Sequence, residues 1–240
     1  MNLKVTEVIH ETHDTDTFVL EDADDGEIGF DYYAGQYLTF RFDDVAEKPV
    51  VRSYTMSSSP NQKGFAAFTV KRVEKGLISN WLCDNVKTGN ILRARGPIGK
   101  FCYDPEEDRE HLFMVAGGSG VTPFVSIMRE YADKMGQPGC PKSMTLLVSY
   151  RTSTDIILEK DLNDLAAKNC RILVTLTREE HEKHWHGRIS DEMIGRAIDG
   201  AYQNTTFFTC GPQAMMDCLV DHCKANGVED SAIKLESFES

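Results

Sequence analysis

Two short motifs in a fixed order carry the residues best suited to chemistry in this chain. Residues 52–60, RSYTMSSSP, combine a cation, an aromatic ring and a row of hydroxyls, which are the groups that a flavin nucleotide needs at the end of a strand. Residues 115–123, VAGGSGVTP, read as an apolar strand followed by a glycine turn and a helix start, where backbone N–H groups can hold a pyrophosphate. Two nucleotide sites on one chain predict electron transfer between two nucleotides.

Composition limits the class of protein. The chain has 240 residues, of which 41% are hydrophobic, so it can form one large domain or two modest domains with a proper core. Its net charge of -12 argues against a nucleic-acid partner, because phosphate-binding surfaces concentrate Lys and Arg. The uncharged run at 112–128 is broken by glycines and a proline and is too short to span a bilayer. The amino terminus lacks a secretion signal, so we expect the cytoplasm.

The cysteines do not form a metal-binding pattern. None belongs to a Cys-x-x-Cys pair or to the run that holds a plant-type iron–sulfur cluster, so no cluster is expected in this chain. Most are expected to be buried thiols that act as small apolar residues. They are Cys83, Cys102, Cys140, Cys170, Cys210, Cys218 and Cys223.

Residues 1–104 contain short alternating segments separated by polar turns, which favour an antiparallel barrel or sandwich. One segment, Leu77–Val86, has apolar residues at helical spacing, which predicts a helix that caps the barrel. The charged, proline-containing stretch 104–110 suits a domain boundary. The predicted strands are Leu3–Ile9, Thr17–Glu21, Gln36–Phe42, Val51–Ser57, Phe65–Val73 and Asn90–Arg95.

Residues 105–240 instead alternate buried strands with amphipathic helices, which predicts a parallel sheet covered on both faces. Ligands of such sheets bind beyond the carboxyl ends of the strands, so the turns after Ala116, Tyr150, Thr177 and Cys210 are expected to face one crevice. The predicted strands are Leu112–Ala116, Met144–Tyr150, Arg171–Thr177, Thr206–Cys210 and Ile233–Ser237. The predicted helices are Pro123–Lys134, Ile157–Lys168, Ser190–Ala197 and Pro212–Asn226.

With these motifs in this order, the chain resembles the ferredoxin-NADP reductase superfamily over essentially its whole length. It is most similar to the reductase components that feed electrons to oxygenases or hybrid-cluster proteins. The resemblance implies an antiparallel β-barrel that binds FAD, residues 1–104, followed by an α/β parallel-sheet domain that binds NAD(P), residues 105–240. A ferredoxin domain, which many such reductases carry, is not expected in this chain.

The resemblance implies roles for the first motif. Arg52 would pair with an FAD phosphate, Tyr54 would pack on the flavin ring or ribityl chain, and Thr55 would lie beside flavin N5, with Ser53 counted among the cofactor-binding residues. A forked cation, a flat ring and a hydroxyl suit these tasks chemically. From the residues alone, the alternative is a half-exposed strand in which Arg52 meets a surface carboxylate and Tyr54 covers the core.

A second implied FAD contact is the turn that precedes the predicted helix. Gly76, Leu77, Ile78 and Ser79 match the pyrophosphate turn of the family, where the first N–H groups of a helix face the anion. The alternative is an ordinary helix start capped by Ser79. Val70, Lys71 and Arg72 on the preceding strand are assigned a general tendency to face the anion.

The glycine turn matches the part of the family that lies under the nicotinamide dinucleotide. Its matched residues are Gly117, Gly118, Gly120, Thr122 and Pro123. It is not the Rossmann fingerprint, so no acidic ribose-binding residue is expected about 20 positions later. Thr122 is expected to cap the helix, and Pro123 suits its first position.

Three further positions are implied at the ends of the last strands. Cys210, followed by Gly211 and Pro212, would lie against the C4 edge of the nicotinamide and position it rather than act as a nucleophile; elsewhere such a cysteine is a core thiol. Phe238 would be a movable lid over the flavin, and Glu236 would join a hydrogen-bond relay near Cys210 and Thr55.

Coenzyme choice is open between NADH and NADPH. Arg151 and Arg178 each follow a strand at the crevice, as in relatives that use NADPH, but Glu179 and its acidic neighbours would repel a 2'-phosphate. NADH is slightly favoured, and Arg178 could equally stack on adenine.

The histidines at 181, 184 and 186 could suggest a metal site, but a solvated loop is favoured, and no metal is expected.

The sequence therefore predicts an FAD-dependent NAD(P)H oxidoreductase of the ferredoxin reductase type, which passes single electrons to a separate ferredoxin or other iron–sulfur protein. The alternatives are a free-flavin or quinone reductase and a non-catalytic nucleotide-binding redox subunit.

Overall fold

The computed structural model describes residues 1–238 and contains two six-stranded sheets, one in each half of the chain. The strands of the first sheet are β1 (Asn2–Thr12), β2 (Thr15–Asp22), β3 (Tyr37–Phe42), β4 (Val50–Thr55), β5 (Ala66–Lys71) and β6 (Ile91–Ile98). They lie in the order β4-β3-β6-β1-β2-β5, and every neighbouring pair is antiparallel.

The two edges of this sheet meet, which closes it into the expected barrel. Met56, just after β4, forms an antiparallel bridge with Phe68 of β5, and the Ser57 N–H donates to the Ala67 carbonyl at 2.7 Å. Alternate side chains fill the interior, because successive residues of a strand point to opposite faces. The rings of Phe40 and Phe68 are fully buried, with centroids 4.6 Å apart.

One helix, α1 (Leu77–Asn85), lies against the barrel as predicted. Its Ile78 and Leu82 are buried in the barrel core, and the Trp81 ring meets the Phe42 ring edge-on at 5.6 Å. Burial of this one apolar stripe fixes the helix, so its free N-terminal end is held at a defined place beside β5.

The second sheet is parallel throughout, in the order β10-β9-β8-β7-β11-β12. Its strands are β7 (His111–Gly117), β8 (Ser143–Tyr150), β9 (Arg171–Leu176), β10 (Trp185–His186), β11 (Thr205–Cys210) and β12 (Ile233–Glu236). Its helices are α2 (Thr122–Tyr131), α3 (Glu159–Ala167), α4 (Asp191–Ile198) and α5 (Gln213–Ala225).

Helices cover both faces of this sheet, as expected. Leu112 and Met114 of β7 pack in one core with α2 and α3, whereas Phe113 and Val115 pack in another core with α4 and α5. Strands buried on both sides read as continuous apolar runs, which is why the sequence reveals them clearly.

One strand was not predicted. Trp185 and His186 pair in parallel with Thr175 and Leu176, in a segment that the sequence favours as a loop. The guanidinium of Arg196 lies 4.9 Å from the centre of the Trp185 ring. Two residues are too few to show a period of two, so only long-range pairing and the cation–π contact reveal this strand.

The two halves of the chain pack against each other. The Phe101 ring, from the first half, lies 5.4 Å from Phe208 and 5.8 Å from Phe124. The Ser126 hydroxyl donates to the Ser58 carbonyl at 2.6 Å, and Arg129 Nη1 donates to the Ser57 carbonyl at 2.6 Å. The serines of the first motif are thus hydrogen-bonded directly to α2.

No helix within residues 1–238 is long and apolar enough to cross a bilayer.

Candidate functional site

Strand β4 places Arg52 and Tyr54 on one face. They lie opposite Phe40 and Leu38 of β3, whose side chains are buried in the barrel, so Arg52 and Tyr54 share the interior-facing side at an edge strand. The Tyr54 ring is half-buried, with its centroid 5.4 Å from that of Phe68. Burial raises the pKa of Tyr54, so the phenol stays neutral and offers a flat, uncharged surface.

The Arg52 guanidinium is exposed and available. It donates to the Val51 carbonyl at 2.8 Å, and no carboxylate of residues 1–238 pairs with it. The alternative in which Arg52 meets a surface carboxylate is therefore not observed. Thr55 is buried at the end of β4, whereas the Ser53 hydroxyl lies on the opposite, outward face, 2.9 Å from the Thr39 hydroxyl. The side chain of Ser53 is thus not brought together with those of Arg52 and Tyr54.

The N-terminus of α1 is uncapped. Gly76 is its N-cap residue, no side chain caps the helix, and no acidic residue lies in its first turn. The Ser79 hydroxyl instead accepts from the Val73 N–H at 3.2 Å, so the predicted alternative of a start capped by Ser79 is not observed. A Cβ at Gly76 would lie 2.6 Å from Ser79 Oγ, so glycine is needed there. The first N–H groups of Leu77 and Ile78 can therefore meet an anion.

The anion-facing tendency predicted for the preceding strand is wrong for its side chains. The Lys71 ammonium contacts both carboxylate oxygens of Asp14 at 2.6 Å, and Arg72 pairs with Asp84 at 2.7 Å. Val70 is a buried residue of the barrel core. Both cations are occupied because the β1–β2 hairpin and α1 bring carboxylates to them, which the sequence does not show. Only the backbone of Val70 and Lys71 is left to face a ligand.

The two glycine turns of the parallel sheet pack backbone to backbone. A Cβ at Gly120 would lie 2.1 Å from the Cys210 carbonyl oxygen, and a Cβ at Gly117 would lie 2.6 Å from Pro212 Cδ. Gly211 has φ +148, and its added Cβ would lie 2.9 Å from the Gly117 nitrogen. The turns after β7 and β11 are thereby locked together at the carboxyl edge of the sheet.

Gly118 is the open part of this edge. It has φ +54, and apart from its two chain neighbours no described atom lies within 4 Å of an added Cβ, so the space on that side of the residue is open. Thr122 does not cap α2 as predicted, because its hydroxyl donates to the Ser119 carbonyl at 3.1 Å. Pro123 is the second residue of α2 rather than its first, since the turn at 118–121 is itself a 3₁₀ helix that continues directly into α2.

Cys210 and Glu236 are neighbours across β11 and β12. They are register partners in the parallel pair, and Cys210 also lies beside Ala116 of β7. Cys210 is fully buried; burial first, and the Glu236 charge second, raise the pKa of its thiol, so it stays neutral. A neutral, buried thiol is not a nucleophile. The geometry thus agrees with a positioning residue.

Glu236 is half-buried, and its carboxyl oxygen Oε2 is buried without a hydrogen-bond partner in the described part of the chain. Burial raises its pKa from 4.5 to about 7. The Thr209 hydroxyl, next to Cys210 in the chain, is also buried and finds no hydrogen-bond partner among residues 1–238. Native proteins rarely leave such groups unsatisfied, and a carboxyl with a strongly raised pKa beside an open crevice is typical of a functional site.

Lys234 anchors the strand that carries Glu236. Its ammonium pairs with the almost fully buried Asp108 carboxylate at 2.6 Å, donates to the Cys102 carbonyl at 3.2 Å and lies 5.4 Å from the centre of the Phe208 ring. Sequence analysis missed this residue, since no local pattern distinguishes it from a surface lysine. Phe238, the predicted lid, follows β12 and is 44% exposed.

Hydrogen bonds between Glu179 and Ser153 join the loop after β9 to the loop after β8. The Glu179 carboxylate accepts from the Ser153 N–H at 2.7 Å and from the Ser153 hydroxyl at 3.0 Å, and these bonds lower the pKa of Glu179. The Arg178 N–H donates to the Arg151 carbonyl at 2.9 Å. The side chains of Arg151 and Arg178 are exposed and have no carboxylate partner within residues 1–238. Sequence analysis missed Ser153.

The histidines beyond β9 do not converge on a metal-binding site within residues 1–238. The rings of His181 and His184 stack at 4.7 Å, and His186 Nδ1 lies 2.9 Å from the Glu179 carbonyl. Among residues 1–238, no group of three or more His, Cys, Asp or Glu side chains could hold a metal ion.

These features fit two nucleotides. On the barrel, an uncommitted guanidinium, a neutral half-buried ring and an uncapped helix start suit the phosphates and ring of FAD. On the second sheet, locked glycine turns, open backbone at Gly118 and two exposed arginines suit a nicotinamide dinucleotide.

The chain matches models of two families. The model of the oxidoreductase FAD-binding domain family matches residues 2–103, and the model of the oxidoreductase NAD-binding domain family matches residues 114–221. The chain is 31% identical over 244 residues to the glycine betaine monooxygenase reductase subunit of Chromohalobacter salexigens, and the alignment covers 99% of this chain. It covers 64% of that relative, so the chain spans less than two thirds of its length.

Two other proteins are similar. NADH-cytochrome b5 reductase 1 of Dictyostelium discoideum is 31% identical over 202 residues, which cover 83% of this chain and 68% of that protein. The flavohem-like FAD/NAD binding domain of nitric oxide dioxygenase from Vibrio cholerae has the same fold, with a TM-score of 0.86 at 25% identity. That alignment covers 98% of this chain and 97% of the other.

Proposed function

Because this chain belongs to the family of oxidoreductases that join an FAD-binding domain to an NAD-binding domain, we propose that it takes a hydride from NADH onto FAD and passes single electrons to a separate redox protein. Bound FAD would supply the conversion of a two-electron donor into single electrons. One observation carries the proposal: two separate sets of groups suited to binding anions lie on one chain, one on the barrel and one at the carboxyl edge of the parallel sheet.

The barrel residues would bind and orient FAD. Arg52 holds a phosphate through its forked guanidinium, and the N-terminus of α1 holds the pyrophosphate through backbone N–H groups. Tyr54 offers a neutral ring, and Thr55 offers a hydroxyl at the end of the same strand. We assign the barrel to residues 1–104 and the nicotinamide domain to residues 105–240.

The residues of the parallel sheet would position the nicotinamide. The Gly120 contact fixes the Cys210 backbone, and the neutral Cys210 thiol provides a small, polarizable surface that cannot itself be alkylated readily. Glu236, with a pKa of about 7, can hold or release a proton beside it at neutral pH. Phe238 would cover the flavin face until the nicotinamide displaces it.

We infer that the acceptor is a ferredoxin or another iron–sulfur protein. The Chromohalobacter relative is named as the reductase subunit of a monooxygenase, which supports a separate acceptor component. All seven cysteines are unpaired, which supports the cytoplasm as the location.

NADH is the coenzyme that the charges favour. The Glu179 carboxylate is fixed by Ser153 at the mouth of the two loops and would repel a 2'-phosphate. We expect Glu179→Gln to raise the kcat/KM ratio of NADPH to NADH several-fold, because it removes a carboxylate charge that repels the 2'-phosphate. Arg178→Ala should lower that ratio if the guanidinium binds the 2'-phosphate. Equal ratios in wild type and Glu179→Gln would contradict this assignment.

A single preparation tests the main proposal. We expect FAD to copurify, NADH to bleach the flavin rapidly, and a ferredoxin to be required for cytochrome c reduction. Turnover of free FMN without bound flavin would identify a free-flavin reductase, and quinone reduction without ferredoxin would identify a quinone reductase. Nucleotide binding without bleaching would identify a non-catalytic redox subunit. A colourless protein that takes up no FAD when supplied in excess would refute the proposal.

A further inference from the structure

A chain of buried hydroxyls crosses the outer side of the barrel where the second domain covers it. The Thr17 hydroxyl donates to Glu11 Oε1 at 2.7 Å and lies 2.7 Å from Thr69 Oγ1. The Thr69 hydroxyl donates to Ser57 Oγ at 3.0 Å. Ser57, Thr69 and Thr17 are all buried. We call the series from Ser57 through Thr69 and Thr17 to Glu11 the hydroxyl chain.

The hydroxyl chain has too few hydrogens for a mixed arrangement, because each hydroxyl can donate only one. If Thr17 donates to Glu11 and Thr69 donates to Ser57, no hydrogen remains for the 2.7 Å contact between the two threonines. All three contacts are satisfied together only when the hydrogens point one way, toward an ionised Glu11 or away from a protonated Glu11. Transfer of one proton from the Ser57 end to Glu11 converts the first arrangement into the second, so the chain has the geometry of a proton relay.

Glu11 gives the hydroxyl chain an outlet to solvent. It lines an open cavity of about 460 Å³ between the barrel and the second domain. Burial raises the pKa of Glu11, so it binds a proton at a higher pH than an exposed glutamate does. A carboxyl in this setting can take a proton from the chain and release it to water. The groups that act on its pKa are the Thr17 hydroxyl, the Leu158 backbone and Arg129, which lower it, and Asp161, which raises it. The other carboxylates that line the cavity are those of Glu7 and Glu21.

The opposite end of the hydroxyl chain lies beside the proposed flavin site. Met56, just after β4, forms an antiparallel bridge with Phe68 of β5. Thr55 and Thr69, one residue from this bridge on each strand, therefore come opposite each other with their side chains on the same face. Ser57 follows Thr55 by two residues and faces the same side. Because Thr55 is the residue proposed to lie beside the flavin, the hydroxyl chain begins next to that position.

The proposed reaction leaves one proton behind for each NADH. NADH gives up a hydride, which is one proton with two electrons, and two one-electron acceptors take only the electrons. The balance is NADH and two oxidised acceptors giving NAD⁺, two reduced acceptors and one proton. This proton has to reach solvent before the next turnover.

We propose that the hydroxyl chain carries this proton from the Thr55 side of β4 to Glu11, which releases it into the cavity. The proposal rests on the proposed function. The route is separate from Cys210 and Glu236, which lie in the parallel sheet where the nicotinamide is expected. It runs instead through β5 and β2 of the barrel, so it can serve the flavin while the nucleotide occupies the other side.

The test follows electrons and protons separately in the FAD-loaded protein. The protein is reduced anaerobically with NADH and mixed, in weakly buffered solution, with ferricyanide, which accepts one electron and no proton. Absorbance reports electron transfer and a pH-indicator dye reports proton release, and in the wild type we expect the two signals to appear together. Thr69→Val breaks the hydroxyl chain at nearly constant shape, and Glu11→Gln cannot take up a proton, so in both variants proton release should be slower than electron transfer by on the order of tenfold. Simultaneous signals in both variants would overturn the proposal.

A second measurement needs no turnover. The Glu11 carboxyl is titrated by infrared difference spectroscopy of the resting FAD-loaded protein, and its band is identified by its loss in Glu11→Gln. Thr17→Val removes the hydrogen bond that favours the ionised carboxylate, so the titration midpoint should move to higher pH. An unchanged midpoint would mean that the last link of the hydroxyl chain is absent, which contradicts the proposal.

Thr6→Val is the matched control. Thr6 lines the same cavity, but its hydroxyl donates to the Val19 carbonyl at 3.4 Å and is not part of the hydroxyl chain. Proton release should therefore keep pace with electron transfer in this variant. An equal delay in Thr6→Val and Thr69→Val would attribute the effect to a disturbed contact between the domains and overturn the proposal. Failure of NADH to bleach the flavin in the wild type would instead refute the proposed function.

Discussion

Replacement of Glu236 by glutamine should make the protein more stable at alkaline pH. In the folded chain, Oε2 of Glu236 is buried without a hydrogen-bond partner among the described residues, and burial raises the pKa from 4.5 to about 7. The folded state therefore keeps a proton that the unfolded state releases. Between pH 4.5 and 7 the unfolded state binds fewer protons, so the free energy of unfolding falls as the pH rises.

The size of the effect follows from the pKa difference. Each pKa unit corresponds to about 1.4 kcal/mol, so raising the pKa from 4.5 to about 7 lowers the free energy of unfolding at pH 8 by about 3 kcal/mol relative to a side chain that does not ionise. Glutamine has nearly the same shape and stays neutral. Glu236→Gln and wild type should thus have similar stability near pH 4.5, and the variant should be more stable by about 3 kcal/mol above pH 7.

Thermal unfolding between pH 4.5 and 8.5 measures this difference. For a chain of this size, about 3 kcal/mol corresponds to a rise in Tm of roughly 6 to 12 °C at pH 8. Glu47→Gln, at an exposed loop carboxylate, is the control and should show no such trend. A Tm difference between Glu236→Gln and wild type that does not change with pH would refute the reasoning. Hydride transfer in the variant should lose its dependence on pH near 7.

Two further predictions concern packing. Gly120→Ala should destabilise the protein by about 3 kcal/mol, because its Cβ would lie 2.1 Å from the Cys210 carbonyl oxygen. Gly118→Ala, whose Cβ would point into open space, should cost only about 1 kcal/mol. Equal losses of Tm in the two variants would contradict this explanation. Lys234→Met should lower the free energy of unfolding by about 3–5 kcal/mol, because it leaves the buried Asp108 carboxylate without its ion-pair partner. In urea unfolding, the double variant Lys234→Met/Asp108→Asn should recover part of that loss. No recovery would contradict the ion-pair explanation.

Local sequence determines much of the architecture. Alternating residues predict the barrel strands, and continuous apolar runs predict the parallel sheet, because each pattern follows from which faces of a strand are buried. The glycine turn is equally local, since glycine takes the positive φ of Gly118 without a steric penalty. The order of these motifs was sufficient to identify the family and both cofactor classes.

Side-chain partners could not be predicted in the same way. Lys71 was expected to face an anion, but the β1–β2 hairpin places Asp14 against it. Ser53 belongs to the flavin motif by sequence, but strand alternation turns its hydroxyl outward to Thr39. In both cases the deciding neighbour lies on another strand, and register between strands is set by the packing of the whole sheet.

The sequence by itself determined the two sheet types, the order of the domains and the residue types available for two nucleotides, because these depend on local periodicity and turn chemistry. Only the tertiary structure decided that Gly120 lies against Cys210, that the Oε2 atom of Glu236 is buried and the pKa of its carboxyl raised, and that Arg41 of β3 lies opposite Arg93 of β6. The physical reason is that burial, electrostatic environment and cross-strand register arise between segments far apart in sequence, and they exist only after the sheets have closed.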